Sequence, residues 1–225
     1  METNCKPGFR VESDLIGPRE IPDNLLYGVQ TLRGIENFEI SHLHLDQYPE
    51  FIKGLAITKM GAARANYSLG LLTKEQAEAI EQACQEIIDG KYHDQFPVDM
   101  IQGGAGTTTN MNANEVIANR ALEIMGHKHG EYKYCSPNDH VNRSQSTNDA
   151  YPTAIHIGMY FAHLRFLRHF ETLISSFEKK AEEFKDIVKM GRTQLEDAVP
   201  MTLGQTFGGF AAILRDEIKH DGKNQ

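Results

Sequence analysis

The chain has 225 residues, of which 40% are hydrophobic and 24% charged, and its formal net charge at pH 7 is −8. This length can bury a substantial core in one or two domains, and the acidic balance disfavours a nucleic acid or another polyanion as a partner. The three cysteines form no CxxC motif, every apolar stretch is too short to cross a bilayer, and Met1 to Arg10 lacks a signal-peptide core. We therefore expect a cytoplasmic protein with no membrane segment, no disulfide framework and no metal site.

Glycine and proline punctuate residues 1–50, which predicts irregular structure with at most short strands or helices. After Pro49 the spacing of the apolar residues predicts a helix from Phe51 to Leu69. The sequence Thr73-Lys74-Glu75-Gln76 is a capping box, so a second helix should begin there and stop near Asp89.

A third helix is predicted from Asn112 to Met125, followed by a long polar connection over residues 126–149 whose length indicates a functional loop. From Pro152 to Lys189, apolar or small residues recur at helical spacing with an 11-residue period. This pattern predicts one helix roughly 55 Å long. A second apolar face in its N-terminal half favours a bundle completed by other subunits over a single-faced surface helix. The first stripe consists of Ile155, Met159, Ala162, Phe166, Phe170, Leu173, Phe177, Ala181, Phe184 and Val188.

The segment Gly191-Arg192-Thr193-Gln194 is predicted to be the turn between the last two helices. Gly191 suits a helix C-cap, and Pro200 suits the start of the next element. A final helix is predicted from Thr202 to Lys219. At the end of so long a helix, Thr193 and Gln194 would be placed to meet polar residues of a neighbouring chain.

Two segments, Gly106–Glu115 and Ser144–Asp149, are rich in hydroxyl and amide side chains and directly precede predicted helices. Threonine, serine and asparagine cap helix N-termini, so the plain interpretation of either segment is a cap or turn. The pair holds more such residues than capping needs, and the asparagines are a local cost in helix propensity. Because helix N-termini attract carboxylates and phosphates, the two segments together predict a pocket for a small anion without a metal or cofactor.

These segments and their neighbours resemble, in order and spacing, the motifs of the aspartase/fumarase superfamily. The matching stretches are Arg19–Pro22, Leu26–Arg33, Gly103–Asn119, Pro137–Asn142, Ser144–Thr153 and Gly191–Gln205. The resemblance covers nearly the whole chain up to about residue 214. It implies a mainly α fold with a small mixed N-terminal domain, followed by the first long helices of a helical bundle.

Within the superfamily, Thr147, Gln194 and Ser136 resemble the aspartase branch more than the fumarases. The resemblance then implies reversible elimination of ammonia from L-aspartate to give fumarate, through a dianionic aci-carboxylate that needs many hydrogen-bond donors. Two alternatives stay open: a fumarate hydratase of the same fold, and a non-catalytic module that binds dicarboxylates or assembles with a longer relative.

The same resemblance implies a set of substrate-binding residues, and it implies no cofactor. Thr107 and Thr108 would lie near the aci-carboxylate, and Thr147 and Asn148 near the amino group. The full set is Thr107, Thr108, Asn110, Asn112, Ser146, Thr147, Asn148, Thr193 and Gln194.

The family's catalytic base is a serine in a Gly-Ser-Ser loop in the second half of a longer chain, and no serine follows Ser176 here. We therefore expect residues 1–142 to form the N-terminal domain and residues 143–225 to be an incomplete bundle, with no catalytic residue in this chain. The family assembles as homotetramers with sites where three subunits meet. Alone, the chain should be aggregation-prone and nearly inactive. The sequence leaves open regulation by a divalent cation and preference among substituted substrates.

Overall fold

A computed structural model of the chain describes residues 6–221, with side chains through Lys219. Cys5 and the polar C-terminal residues after 221, on which parts of the sequence analysis rest, lie outside the described residues. The chain separates into two compact units, Met1–Tyr160 and Phe161–Gln225. The domain boundary after residue 142 stays a prediction. The mainly α class is confirmed.

The first unit opens with a hairpin and a short helix, in line with the irregular start predicted. Strands β1 (Phe9–Asp14) and β2 (Gly17–Pro22) pair antiparallel, and helix α1 follows at Val29–Asn37. The longer helices are α2 (Pro49–Ser68), α3 (Lys74–Ile88), α4 (Thr107–Ile124) and the beginning of α5 (Thr147–Glu183). Short 3₁₀ turns lie at Leu45–Gln47 and His93–Gln95, and a single π-helical turn at Pro137–Val141.

The core of this unit lies between α2, α3 and α4, whose apolar residues recur at helical spacing and turn inward. Each fully buried leucine or isoleucine contributes about 1.5–3 kcal/mol relative to exposure. Gly54 on α2 and Gly158 on α5 let the two backbones approach, since a Cβ at Gly54 would lie 2.2 Å from the Ala154 carbonyl oxygen. The fully buried aliphatic side chains of these three helices include Ile52, Leu55, Ile80, Ile87, Ile117 and Leu122.

The capping box predicted at Thr73 is confirmed. The Gln76 amide donates to Thr73 Oγ1 at 3.2 Å, and the Thr73 amide donates to Gln76 Oε1 at 3.1 Å. Helix α3 ends at Ile88 with Asp89 as its C-cap, as predicted. The predicted helix from Phe51 to Leu69 is also confirmed, as α2.

Two helices begin about five residues earlier than predicted. Helix α4 starts at Thr107 instead of Asn112, because Gly106 in the left-handed region (φ +84°) turns the chain there and the Gln102 side chain accepts from a first-turn amide in place of an N-cap side chain. Helix α5 starts at Thr147 instead of Pro152. Pro152 lies inside it and lacks the amide hydrogen that the Asn148 carbonyl would accept.

The second unit holds the rest of α5, a hairpin and a final helix. Strands β3 (Val188–Thr193) and β4 (Glu196–Thr202) pair antiparallel, and α6 (Leu203–Asp221) follows, as predicted for the last helix. Three details of the sequence analysis were wrong: α5 ends at Glu183 and not Lys189, Gly191 is in a strand and not a C-cap, and Pro200 is in β4.

The hairpin forms because Gly191 lets β3 pack closely on β4. Gly191 is buried beside a register irregularity between Met190 and Arg192, and a Cβ there would lie 2.9 Å from the Val199 carbonyl oxygen. Sequence periodicity does not reveal this close approach, since a glycine after a helix equally suits a C-cap.

Apolar side chains of the second unit are widely exposed. Phe166 and Leu173 on α5 are 53% and 43% exposed, and Ile213 on α6 is 63% exposed. Within residues 6–221, no helix combines the length and apolarity needed to cross a membrane.

Candidate functional site

The N-terminus of α4 is reached through a glycine-rich loop and carries the predicted threonines in its first turn. Thr107 is exposed and Thr108 is half-buried, with its methyl group against Gly34 of α1. The N-cap residue Gly106 has no side chain, and the Thr109 amide donates instead to Gln102 Oε1 at 2.8 Å. Thr107 and Thr108 therefore do not cap the helix, so their hydroxyls are available to other partners.

Asn110 lies one turn from the threonines and is almost fully buried, with 1% of its surface exposed. Its Oδ1 accepts from Lys59 Nζ at 2.7 Å. Its Nδ2 donates to Asn142 Oδ1 at 3.1 Å and to Thr147 Oγ1 at 3.3 Å. The last contact brings the two polar segments singled out in the sequence together, α4 supplying one side and the start of α5 the other.

Asn112 lies on another side of α4 from Asn110, and its predicted place in the wall of the site stays a prediction. Its side chain is fully buried, and its Nδ2 donates to the Gln95 carbonyl at 3.0 Å. Two residues along a helix is about 200° of rotation, so Asn110 and Asn112 point to nearly opposite sides of α4. The two asparagines therefore contact different parts of the chain.

The segment before α5 is held by its own hydrogen bonds. Ser146 Oγ accepts from the Asn148 amide at 3.2 Å, and the Ser146 amide donates to Asp149 Oδ1 at 3.2 Å. Ser146 therefore caps α5: its Oγ accepts from the Asn148 amide, and its own amide is bound by the Asp149 carboxylate. Thr147 is half-buried and accepts from Asn110, and the Asn148 side chain is exposed.

Lys59 is the main residue of this region that sequence analysis missed. It lies on α2 with no exposed surface, and its Nζ donates to Asn110, to Asn142 Oδ1 at 2.9 Å and to Gln145 Oε1 at 3.0 Å. A signal was present in the sequence: Lys59 falls on the apolar stripe of α2, three residues after Ala56 and four before Ala63. A lysine at a buried helical position needs hydrogen-bond partners.

Burial lowers the pKa of Lys59 to about 7, and Cys84 and Asp149 act in the opposite direction. The observed contacts are those of an ammonium, which has three hydrogens to donate and no lone pair to accept with. No carboxylate of the described residues forms an ion pair with Lys59, so neutral amide oxygens alone bind its charge directly.

Three buried carboxylates that the sequence analysis also missed accept hydrogen bonds from backbone amides and do not face the polar segments. Glu115 on α4 accepts from the amides of Gly28, Gln30 and Thr31 at 2.8–3.0 Å, and from the Thr31 hydroxyl. Burial raises the pKa of Glu115 to about 6, against these hydrogen bonds. The other two are Glu12, which accepts from the Val29 amide, and Asp99, which accepts from the amides of Ile40, Ser41, His42 and Ile101.

Thr193 and Gln194 lie in the second unit, where β3 turns into β4. Thr193 is the last residue of β3, Gln194 has φ +48°, and both are exposed. Arg192 and Asp197 form an ion pair across the same hairpin. Within residues 6–221, no group of three or more histidine, cysteine, aspartate or glutamate side chains is arranged to hold a metal ion.

Comparison with known proteins gives consistent matches over almost the whole chain. A family model described as Lyase matches residues 17–221. The aspartate ammonia-lyase of Pseudomonas canavaninivorans is 55% identical over 210 residues, 93% of this chain and 44% of that protein. A solved structure described as fumarate lyase:delta crystallin from Brucella melitensis, bound to cobalt, has a TM-score of 0.90 and 50% identity, covering 94% of this chain and 46% of that one.

A class II fumarase from Schistosoma mansoni is more distant, with a TM-score of 0.83 and 35% identity over 94% of this chain and 44% of that one. The chain thus spans less than half the length of these relatives. Since the family model covers most of the chain, and an aspartate ammonia-lyase is 55% identical over 93% of it, the chain belongs to the lyase family, and its resemblance to the aspartase/fumarase superfamily is confirmed.

Proposed function

We propose that the protein to which this sequence belongs is an aspartate ammonia-lyase that eliminates ammonia from L-aspartate reversibly to give fumarate. The observation that carries the proposal is the hydrogen bond from Asn110 to Thr147, which joins the polar segments of α4 and α5. Similarity to an aspartate ammonia-lyase at 55% identity favours this activity over the fumarase reaction, whose representative is 35% identical.

The residue types suit an intermediate with charge on carboxylate oxygens. Removing a proton next to a carboxylate builds a dianion, and donors aimed at its oxygens lower the barrier. The free amides of the first α4 turn and the hydroxyls of Thr107 and Thr108 are such donors, and the helix dipole favours the same charge. Thr107 and Thr108 therefore contact the aci-carboxylate in our proposal.

The sequence analysis assigned Thr147 and Asn148 to the amino group of the substrate, and the proposal changes the assignment of Thr147. Because Thr147 Oγ1 accepts from Asn110, its own hydrogen is available for donation. A donor suits a carboxylate oxygen better than the ammonium group of aspartate, which is itself donor-only. We therefore place Thr147 against a carboxylate and keep the exposed Asn148 for the amino group. Thr193 and Gln194 of a neighbouring subunit supply a third contact in the proposal, and Ser146 holds the start of α5. Asn112 is left out of the binding set.

The proposal extends to the whole protein as a homotetramer in the cytoplasm that binds a small dicarboxylate or amino acid. Support comes from the exposed apolar side chains of α5 and α6, which other subunits would cover.

The deciding experiment gives the purified chain L-aspartate, with L-malate in parallel, and follows fumarate by ultraviolet absorbance. A second arm titrates the chain with succinate, an unreactive dicarboxylate, by calorimetry. Turnover of aspartate but not malate supports the lyase, and turnover of malate supports the fumarase alternative. Succinate binding without turnover is the result expected of a chain that lacks the base loop, and displacement by aspartate but not by malate then supports the lyase, whereas displacement by both alike supports a dicarboxylate-binding module. A folded sample that shows neither activity nor binding contradicts the proposal.

Variants separate the predicted donors from the rest of the surface. Thr147→Val removes a hydroxyl and should weaken succinate binding, or lower kcat/KM if turnover is found, about tenfold or more. Thr153→Val, an exposed threonine of the same helix, is the matched control and should change neither. Equal effects of the two variants would remove Thr147 from the site.

A further inference from the structure

Lys59 is buried, and no carboxylate in the described part of the chain forms an ion pair with it, an arrangement that is unusual for a lysine. A buried ammonium costs several kcal/mol unless its hydrogens are bound, and an apolar residue of similar size would avoid the cost. The neighbours that bind it come from two different parts of the chain: Asn110 on α4, and Asn142 and Gln145 in the loop before α5. A cation at this position therefore has an effect on its neighbours that a methionine would not have.

The ammonium fixes the direction of the side-chain amides around it. Lys59 can only donate, so the amide oxygens of Asn110, Asn142 and Gln145 must face it, and their NH₂ groups must face away. The NH₂ of Asn110 then points to Thr147, and that of Gln145 to the Val141 carbonyl at 2.8 Å. A neutral apolar side chain would leave each amide free to turn over.

The same face of α2 binds the loop a second time. Asn66, two turns after Lys59, donates from Nδ2 to the Arg143 carbonyl at 2.8 Å. The loop between the π-helical turn and α5 is thus tied to α2 at Arg143 by a neutral bond and at Asn142 and Gln145 by the cation. Only the cation reaches Asn110, and through it the hydroxyl of Thr147.

We infer that Lys59 is a positioning residue of the dicarboxylate site: its buried ammonium holds Asn110, Asn142 and Gln145 so that the Asn110 amide presents the Thr147 hydroxyl to the ligand. This inference rests on the proposed function, because it assigns the ligand contact to Thr147. Lys59 itself does not touch the ligand. It acts through Asn110, so its removal and the removal of the Asn110 amide should have the same consequence.

The test is a double-mutant cycle on succinate affinity, measured by calorimetry with the 225-residue chain. Lys59→Met and Asn110→Ala should each raise the Kd about tenfold, and the double variant should raise it little beyond either single change, since both interrupt the same connection. Lys53→Met, on the partly exposed side of the same helix, is the matched control and should leave the Kd unchanged. A double variant whose Kd rises as the product of the two single effects, or a folded Lys59→Met chain with unchanged Kd, would overturn the inference.

A charge-specific rescue separates positioning from packing. In Lys59→Ala, ethylammonium should restore succinate affinity, and ethanol of similar size should not. Rescue by both would assign Lys59 a packing role only and overturn the inference.

Thermal melts by circular dichroism accompany each variant, and Lys59→Gln replaces Lys59→Met if the latter does not melt cooperatively. Loss of folding in both would show that Lys59 supports the whole unit, against a positioning role. If the wild-type chain binds no succinate, the proposed function itself is contradicted. If the wild-type chain binds succinate and Lys59→Met binds it equally well, only the positioning role of Lys59 is contradicted.

Discussion

At the scale of single residues, a few side chains set the geometry of the polar segments. Gly106 is the clearest case: its φ is +84°, and a Cβ there would lie 2.4 Å from ring atoms of Tyr151. The backbone conformation and the space are both reserved for glycine. This residue therefore determines where α4 begins and where its first threonines point.

Gly106→Ala should destabilise the chain by roughly 2–4 kcal/mol, because strain at positive φ adds to a collision with a packed ring. Gly61→Ala is the matched control, since Gly61 lies within α2 with open space around it. That change should be neutral or stabilise the chain by about 0.5–1 kcal/mol. Urea unfolding followed by circular dichroism compares the two, and similar midpoints would contradict the assigned role of Gly106.

Asp14 gives the chain a pH dependence. Arg33 donates to both carboxylate oxygens at 2.7 and 2.8 Å and lowers the pKa of Asp14 to about 2 from 3.8. A carboxyl with a lowered folded pKa stabilises the fold above about pH 4, and this contribution is lost as the pH falls through 2.

Urea unfolding is measured at several pH values between 7 and 2. The free energy of unfolding of Asp14→Asn should be about 2 kcal/mol lower than that of wild type at pH 7 and little lower at pH 2. Asp23→Asn, at an exposed aspartate after β2, should follow the wild-type curve throughout. A constant difference between Asp14→Asn and wild type at all pH values would show that the ion pair does not act through protonation.

At the scale of elements, buried carboxylates stand in for the caps that local sequence does not supply. Helix α1 begins after Gly28, which has no capping side chain. Its first amides donate instead to Glu115, 84 to 87 residues away in the chain, and to Glu12. The N-terminus of α1 is thus fixed by α4 and β1, which explains why local signals predicted no helix boundary there.

Glu115→Gln should destabilise the chain by about 1–3 kcal/mol at pH 7, because an amide nitrogen would replace one acceptor oxygen in front of backbone donors. Glu75→Gln, in the exposed first turn of α3, should change stability by less than about 0.5 kcal/mol. Hydrogen exchange should show faster exchange at Gly28–Thr31 in the first variant only. Unchanged exchange at these amides would separate Glu115 from the start of α1.

At the scale of the whole molecule, the described chain leaves apolar surface open that a single chain does not cover. Phe166 and Leu173 on α5 and Phe210 and Ile213 on α6 are each more than 40% exposed. Exposed apolar side chains of this kind promote association, so we expect the chain to self-associate as its concentration rises.

Sedimentation velocity across a range of concentrations should show this association. Phe166→Glu and Leu173→Glu together should lower the weight-average mass, because burying a charge at the contact is costly. Leu71→Glu, at an exposed leucine of the first unit, is the control and should leave the association unchanged. A monomeric wild-type chain at all concentrations would contradict the expectation of exposed bundle helices.

The sequence by itself determined the helices with a long apolar period or a local cap, α2, α3, α5 and α6, and the family, because those signals lie within short stretches of chain. Composition also singled out the two polar segments that hold Thr107, Asn110 and Thr147, and the hydrogen bond from Asn110 to Thr147 brings these segments together. Only the tertiary structure decided that Asn112 faces the Gln95 carbonyl, that Gly191 belongs to a hairpin, and that Lys59 joins α2 to both polar segments. The reason is physical: a side chain's partner is chosen by packing between residues far apart in the chain, and propensity and periodicity do not contain that information.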